Sequence, residues 1–147
     1  MARSHPSAAG IAEAMAAWRP ALLLPIGLLA LAGCGRGGDR ATVRSVAEGF
    51  YAAVAKHDGA GACARLSAST RKALEQDESA PCARAVVHLD LSGRRAHVVR
   101  VYSTNASVEL IDGDTVFLQD TPQGWRVAAA GCRPQAHGEP ADCEVQS

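Results

Sequence analysis

The sequence predicts an α+β domain in which N-terminal helices pack on a curved, four-stranded antiparallel sheet. Three observations carry this. Apolar residues recur at helical spacing between Thr42 and Lys56. After Gly93 the period drops to two. Turn residues then punctuate the second half, so that neighbouring strands pair as a meander.

The first helix is predicted over Thr42–Lys56. Val43, Val46, Ala47, Phe50 and Val54 form one apolar stripe, with Tyr51 at its edge. Asp39 or Thr42 can cap its start, and His57-Asp58-Gly59 ends it. Asp58 can cap a short second helix, Ala60–Leu66. A third, Ser69–Gln76, follows Ser67 or Ser69 as cap. Pro81 opens a further helical piece to about Val87. The strands are Ala96–Ser103, Ala106–Ile111, Thr115–Gln119 and Trp125–Ala130. Asp112-Gly113-Asp114 and Thr121-Pro122-Gln123-Gly124 turn between them. Val108 and Leu110 share one face; Trp125, Val127 and Ala129 share another. Phe50 is expected to lie buried against Trp125 and Val127.

Ahead of this domain stands ALLLPIGLLALA, residues 21–32, without a charge and preceded by Arg19. It is shorter than the roughly 20 residues a bilayer span needs. Its length suits the apolar core of a secretory signal, about 7–15 residues. No twin arginine precedes it, which favours the general secretion route. The run closes on Leu31-Ala32-Gly33-Cys34, which resembles the lipobox of bacterial lipoproteins. That resemblance implies a fatty-acylated Cys34 and cleavage after Gly33. Residues 1–33 are then signal peptide, and residues 34–41, with the polar GRGGDR of Gly35–Arg40, a lipidated cysteine and flexible tether. Residues 42–147 are the domain. Membrane attachment through lipid at the extracytoplasmic face follows. Met15 begins a compact signal in its own right, so translation from Met15 is the alternative to Met1.

Five cysteines form an odd set. Setting Cys34 aside leaves Cys63, Cys82, Cys132 and Cys143, an even set suited to disulfides in an oxidising compartment. Three pairings exist and sequence alone does not choose among them. Locality favours Cys63–Cys82, among the short helices, and Cys132–Cys143, after the last strand. A first loop of about 20 residues is worth ~3 kcal/mol by chain entropy. A metal site from Cys132, His137 and Cys143 is the rival, and it lacks a fourth ligand at a familiar spacing.

EGFYAAVAKHDGAGACARLS, ESAPCARAV, GDTVFLQDTPQGWRVAAAGC and PADCEV together resemble a group of small actinobacterial lipoproteins with an NTF2-like, cystatin-like cone domain. The resemblance implies a conical pocket between the first helix and the concave sheet. It implies no activity, because that fold serves enzymes, binding modules and scaffolds alike.

Formal net charge is zero, and removing residues 1–33 takes away Arg3, Arg19 and Glu13, so the balance stays near neutral. No global field therefore points to nucleic acid. Arg94-Arg95 reads as a solvated pair. There is no Gly-rich phosphate loop after a strand and no serine in a nucleophile elbow. A cone enzyme would need a base facing a hydrogen-bond donor. His88, Asp90 and His97 are the candidate bases, Tyr51 and Tyr102 the candidate donors. None sits in a motif: the bases lie where polar residues are expected anyway, and the tyrosines suit a core edge. The leading expectation is a membrane-anchored binding module for a small apolar ligand or an envelope protein, without cofactor. The alternative is an isomerase- or cyclase-type enzyme acting on a small apolar substrate.

Overall fold

A computed structural model describes residues 36–111, 113–135 and 141–147 of the chain. The expected signal peptide and Cys34 lie outside the described residues.

Helix α1 runs Arg36–Ala55. It begins six residues before the predicted start and takes in part of the expected tether. No proline stands in that stretch, and a glycine costs only about 1 kcal/mol relative to alanine. Asp39 falls in the first turn of α1, where it favours the helix dipole rather than acting as the cap. The stripe read from the sequence is the buried one: Val43, Ala47, Phe50 and Val54 are buried, with Tyr51 beside them.

Three short helices follow. In α2, Gly59–Cys63, Asp58 accepts a hydrogen bond from the Gly61 amide as N-cap. In α3, Ala68–Asp77, Ser67 accepts one from the Thr70 amide. Helix α4, Cys82–Ala85, runs on into a 3₁₀ turn, Val86–His88. Pro81 offers α4 no side-chain cap; Glu75 of α3 reaches over and accepts from the Cys82 amide at 3.1 Å. Gly59 lets α2 approach α4 closely, since a Cβ there would sit 1.9 Å from the Ala83 carbonyl oxygen.

The strands are β1 (Ala96–Tyr102), β2 (Asn105–Leu110), β3 (Thr115–Thr121), β4 (Gly124–Cys132) and β5 (Val145–Gln146). They pair antiparallel in the order β1-β2-β3-β4-β5, an open meander. The sequence predicts four strands; the structure adds β5 from the chain's end. A two-residue strand bounded by polar residues has no periodicity to reveal it, and pairing with β4 makes it.

One predicted face shifts. Ala129 was expected to share the face of Trp125 and Val127, yet Ala130 is the buried residue. Leu118 lies opposite Val127 and Phe117 opposite Ala129, so Ala128 is an extra residue. A second irregularity follows before Thr115 meets Cys132. Each bulge shifts the strand by one residue and reverses which side chains point inward. Gly131 supplies the left-handed conformation there, φ +69°.

Both long edges of the sheet are managed near their ends. Beside β4, the Ser67 amide donates to the Val127 carbonyl at 2.8 Å and the Val127 amide to the Arg65 carbonyl at 2.9 Å. Residues 65–67 and β5 thus share β4's outer edge, which limits unwanted strand addition. At β1, Arg44 of α1 donates to the Ala96 carbonyl and Glu48 accepts from the Ala96 amide.

The core lies between α1 and the sheet. Phe50, Val127 and Trp125 belong to one cluster. Val43, Ala47 and Phe50 of α1, and Val108, Val116 and Val127 of the sheet, have 0% exposure. Water-sized space adjoins none of these six side chains. At these positions the pocket expected between helix and sheet is filled by apolar groups.

Candidate functional site

Of the five side chains weighed for catalysis, four stand at the surface. His88, Asp90 and His97 are exposed, and Tyr102 is 58% exposed at the end of β1. The structure does not bring them together into one pocket. Strand ends and connections leave such residues in water, as their sequence context indicated.

Tyr51 is the exception, and it is buried. Its hydroxyl lies 3.3 Å from the Asp114 carboxylate, to which it donates, and accepts from the Gly131 amide at 3.1 Å. Asp114 is itself buried. It also accepts from the Ser92 amide at 2.8 Å and the Ser92 hydroxyl at 2.9 Å. The Arg133 guanidinium stands 3.6 Å away and reaches Asp90 and Glu144 as well. Burial, the larger cause, pushes the Tyr51 phenol well above its ordinary value, and the Asp114 charge pushes the same way. The Gly131 amide and the Arg133 charge oppose both.

This network ties four segments: α1, the connection before β1, the β2–β3 turn and the end of β4. Its oxygens are engaged with each other and with backbone. It has the character of a structural clasp, because no substrate atom can reach a carboxylate with 1% side-chain exposure. In the sequence Asp114 reads only as a hairpin residue. One signal was available: Asp114, Val116 and Leu118 alternate along β3, which places Asp114 on the buried face. Ser92 and Arg133 carry no such signal.

In the structure Cys63 is bonded to Cys82 and Cys132 to Cys143. These are the pairings that locality favours. Both sulfurs of the rival metal set are thereby committed, and His137 lies outside the described residues. Among the described residues no cluster of three or more His, Cys, Asp or Glu is placed to hold a metal ion. No helix among them is long and apolar enough to cross a membrane.

Among the described residues a hollow of about 170 Å³ bordered by Gly49, Lys56 and Arg65, and two larger concave surfaces, lie outside the core. One of these two, of about 240 Å³, is bordered by Tyr51 and lined by Val54, Val87, Leu89 and Leu91, with His57 and Arg94 among its polar groups; Asp114 is not part of its lining. The other, of about 570 Å³, lies between the start of α3 and the β3–β4 hairpin. Leu66 and Pro122 contribute apolar surface to it; Ser69, Arg71, Gln119 and Arg126 contribute polar groups.

No family model, no curated protein and no solved structure matches this chain.

Tyr51 and Asp114 hold the fold, and the second groove presents guanidinium and amide donors to solvent.

Proposed function

We propose that the chain is a lipoprotein of the bacterial cell envelope, anchored through Cys34 at the extracytoplasmic face of the membrane, whose α+β domain is a non-enzymatic binding module of the NTF2-like kind. One observation carries the reading: Leu31-Ala32-Gly33-Cys34 stands at the end of the uncharged run of residues 21–32. Small residues there admit a peptidase to the backbone, and the thiolate is the nucleophile that takes the lipid. The disulfides add support. With Cys34 set aside, every other cysteine is paired, as suits a domain folded under oxidising conditions.

A binding role is preferred to an isomerase or cyclase because the buried Asp114 carboxylate is spent on Tyr51 and Ser92 and does not line the hollow that Tyr51 borders, so that hollow holds no carboxylate base. The open antiparallel meander with α1 across it is the observation that supports the NTF2-like assignment. A ligand or partner in the envelope would meet the outer grooves rather than the filled space beneath α1.

Cys34→Ser is expected to abolish incorporation of a labelled fatty acid and to leave the precursor uncleaved. The wild-type protein should stay with membranes through a high-salt wash, since two or more acyl chains give stable anchoring. Unchanged labelling of Cys34→Ser would overturn the proposal. N-terminal peptides of that uncleaved precursor would also distinguish a start at Met1 from one at Met15.

A further inference from the structure

Three arginines elsewhere in the fold are committed to carboxylates, whereas Arg84, Arg94 and Arg95 have no carboxylate partner among the described residues. Arg44 lies beside Glu48, Arg100 is paired with Glu109, and Arg133 serves Asp90, Asp114 and Glu144. The groove between α3 and the β3–β4 hairpin is distinguished by bringing two arginines to one space. Arg71 and Arg126 line it, and none of its lining residues is acidic. Among the described residues the Arg71 side chain has neither ion pair nor hydrogen bond. Arg126 spends one N–H on the Trp125 carbonyl, at 2.9 Å, and keeps the rest of its fork.

The fold aims these groups from two walls. Gln119 and Arg126 are direct cross-strand partners, so their side chains stand next to each other on one face of the sheet. Arg71 lies one helical turn after Ala68, and both line the opposite wall. The first turn of α3 faces the same space and adds partial positive charge. A planar carboxylate offers its two oxygens along one edge and suits one guanidinium fork. A tetrahedral phosphate offers oxygens in several directions and suits two forks approaching from opposite walls.

We propose that this groove binds a phosphate-bearing small molecule, its phosphate between Arg71 and Arg126 and its organic part over Leu66 and Pro122. The inference rests on the binding-module reading and gives it a ligand class. It is independent of lipid on Cys34, so a failure of the labelling experiment leaves it standing, and the reverse also holds. The phosphate has two sources: a free phosphorylated solute or the headgroup of an anionic lipid.

The test is amide-resolved NMR of the full chain in micelles of an uncharged maltoside detergent. One arm adds inorganic phosphate; a second dopes the micelles with phosphatidylglycerol. Shifts at residues 66–71 and 119–126 with inorganic phosphate identify a free phosphate site. The same shifts only with phosphatidylglycerol identify a headgroup site. In either arm Arg71→Gln and Arg126→Gln should each weaken binding about tenfold, the loss of one charged hydrogen-bonding group. The lysine versions should recover part of it, because they restore charge without the planar fork. Arg95→Gln, which removes an equal charge away from the groove, should bind as the wild type does. Thermal unfolding of each variant checks that the fold is kept. Shifts absent from both arms, shifts elsewhere, or equal weakening by Arg95→Gln would overturn the proposal.

Discussion

Tyr51 and Asp114 show how much a single buried polar pair can decide. The phenol has an ordinary value of 10.0 and is raised in the fold, chiefly by burial. The unfolded chain therefore gives up this proton before the native one does. Below about pH 10 both states hold the proton and the contribution to stability is complete. Above it the unfolded state is favoured progressively, and stability falls toward the raised native value. Tyr102→Phe leaves Tyr51 as the chain's one tyrosine. In that background, ultraviolet titration of folded protein should show no phenolate near pH 10, whereas protein unfolded in guanidinium should. Phenolate appearing at the same pH in both would show that the hydroxyl is not sequestered. Asp114→Ala should cost about 3 kcal/mol, because it strands the buried Tyr51 hydroxyl and removes both bonds that the carboxylate accepts from Ser92. Equilibrium urea unfolding measures it. The pair was half legible in the sequence: Tyr51 sits at the edge of the helical stripe, but Asp114 reads as one of two acidic residues flanking a glycine. What marks Asp114 is its alternation with the buried Val116 and Leu118, which a turn assignment overlooks.

Among the elements, α1 was the most legible. Its burial follows a 3.6-residue period, and a helix face requires no information beyond its own sequence. Phe50 has 0% exposure. Phe50→Ala should cost about 3–5 kcal/mol, by lost transfer energy and the cavity left behind. Lys56→Ala, at an exposed position just past the helix, should change stability by less than about 0.5 kcal/mol. Chemical denaturation with the disulfides intact gives both values, and equal effects would mean that α1 does not pack as described. Strand β4 was legible only as far as Val127. Beyond it the residues AAAG give no preference for either face, and the bulges are set by pairing with β3. Pairing across strands is long-range, so no local pattern of alanines can announce it. The β3–β4 groove was invisible for the same reason. Arg71 and Arg126 lie on different elements, and the seating of residues 65–67 along β4, with the Thr70 hydroxyl donating to the Ala128 carbonyl, brings their walls together.

For the whole molecule, the disulfides divide the work of closing the fold. Their sequence separations are 19 and 11 residues. Chain entropy alone makes them nearly equal, at ~3 kcal/mol each. Their structural consequences differ. Cys63–Cys82 joins α2 to α4, two elements already packed together and buried at both cysteines. Cys132–Cys143 holds the chain's end against β4. Through it β5 pairs at Ala129 and Ala130, Val145 enters the core, and Arg133 is kept beside Asp114. Outside that bond the described residues 141–147 add one buried apolar side chain, Val145, too little to order them alone. Replacing Cys132 and Cys143 by serine should therefore cost roughly 2–4 kcal/mol globally. It should also open the end locally. Amide exchange should speed up at Val145 and Ala130 while α3 keeps its protection. The exposed edge of β4 near Ala129 should then promote self-association that rises with protein concentration. Cys63→Ser with Cys82→Ser should lower stability by a similar amount without that local opening or association. Exchange mapped residue by residue, with sedimentation of both variants, separates the two outcomes. Uniform acceleration in both variants would show that each bond acts through the unfolded chain alone and that β5 needs no tether.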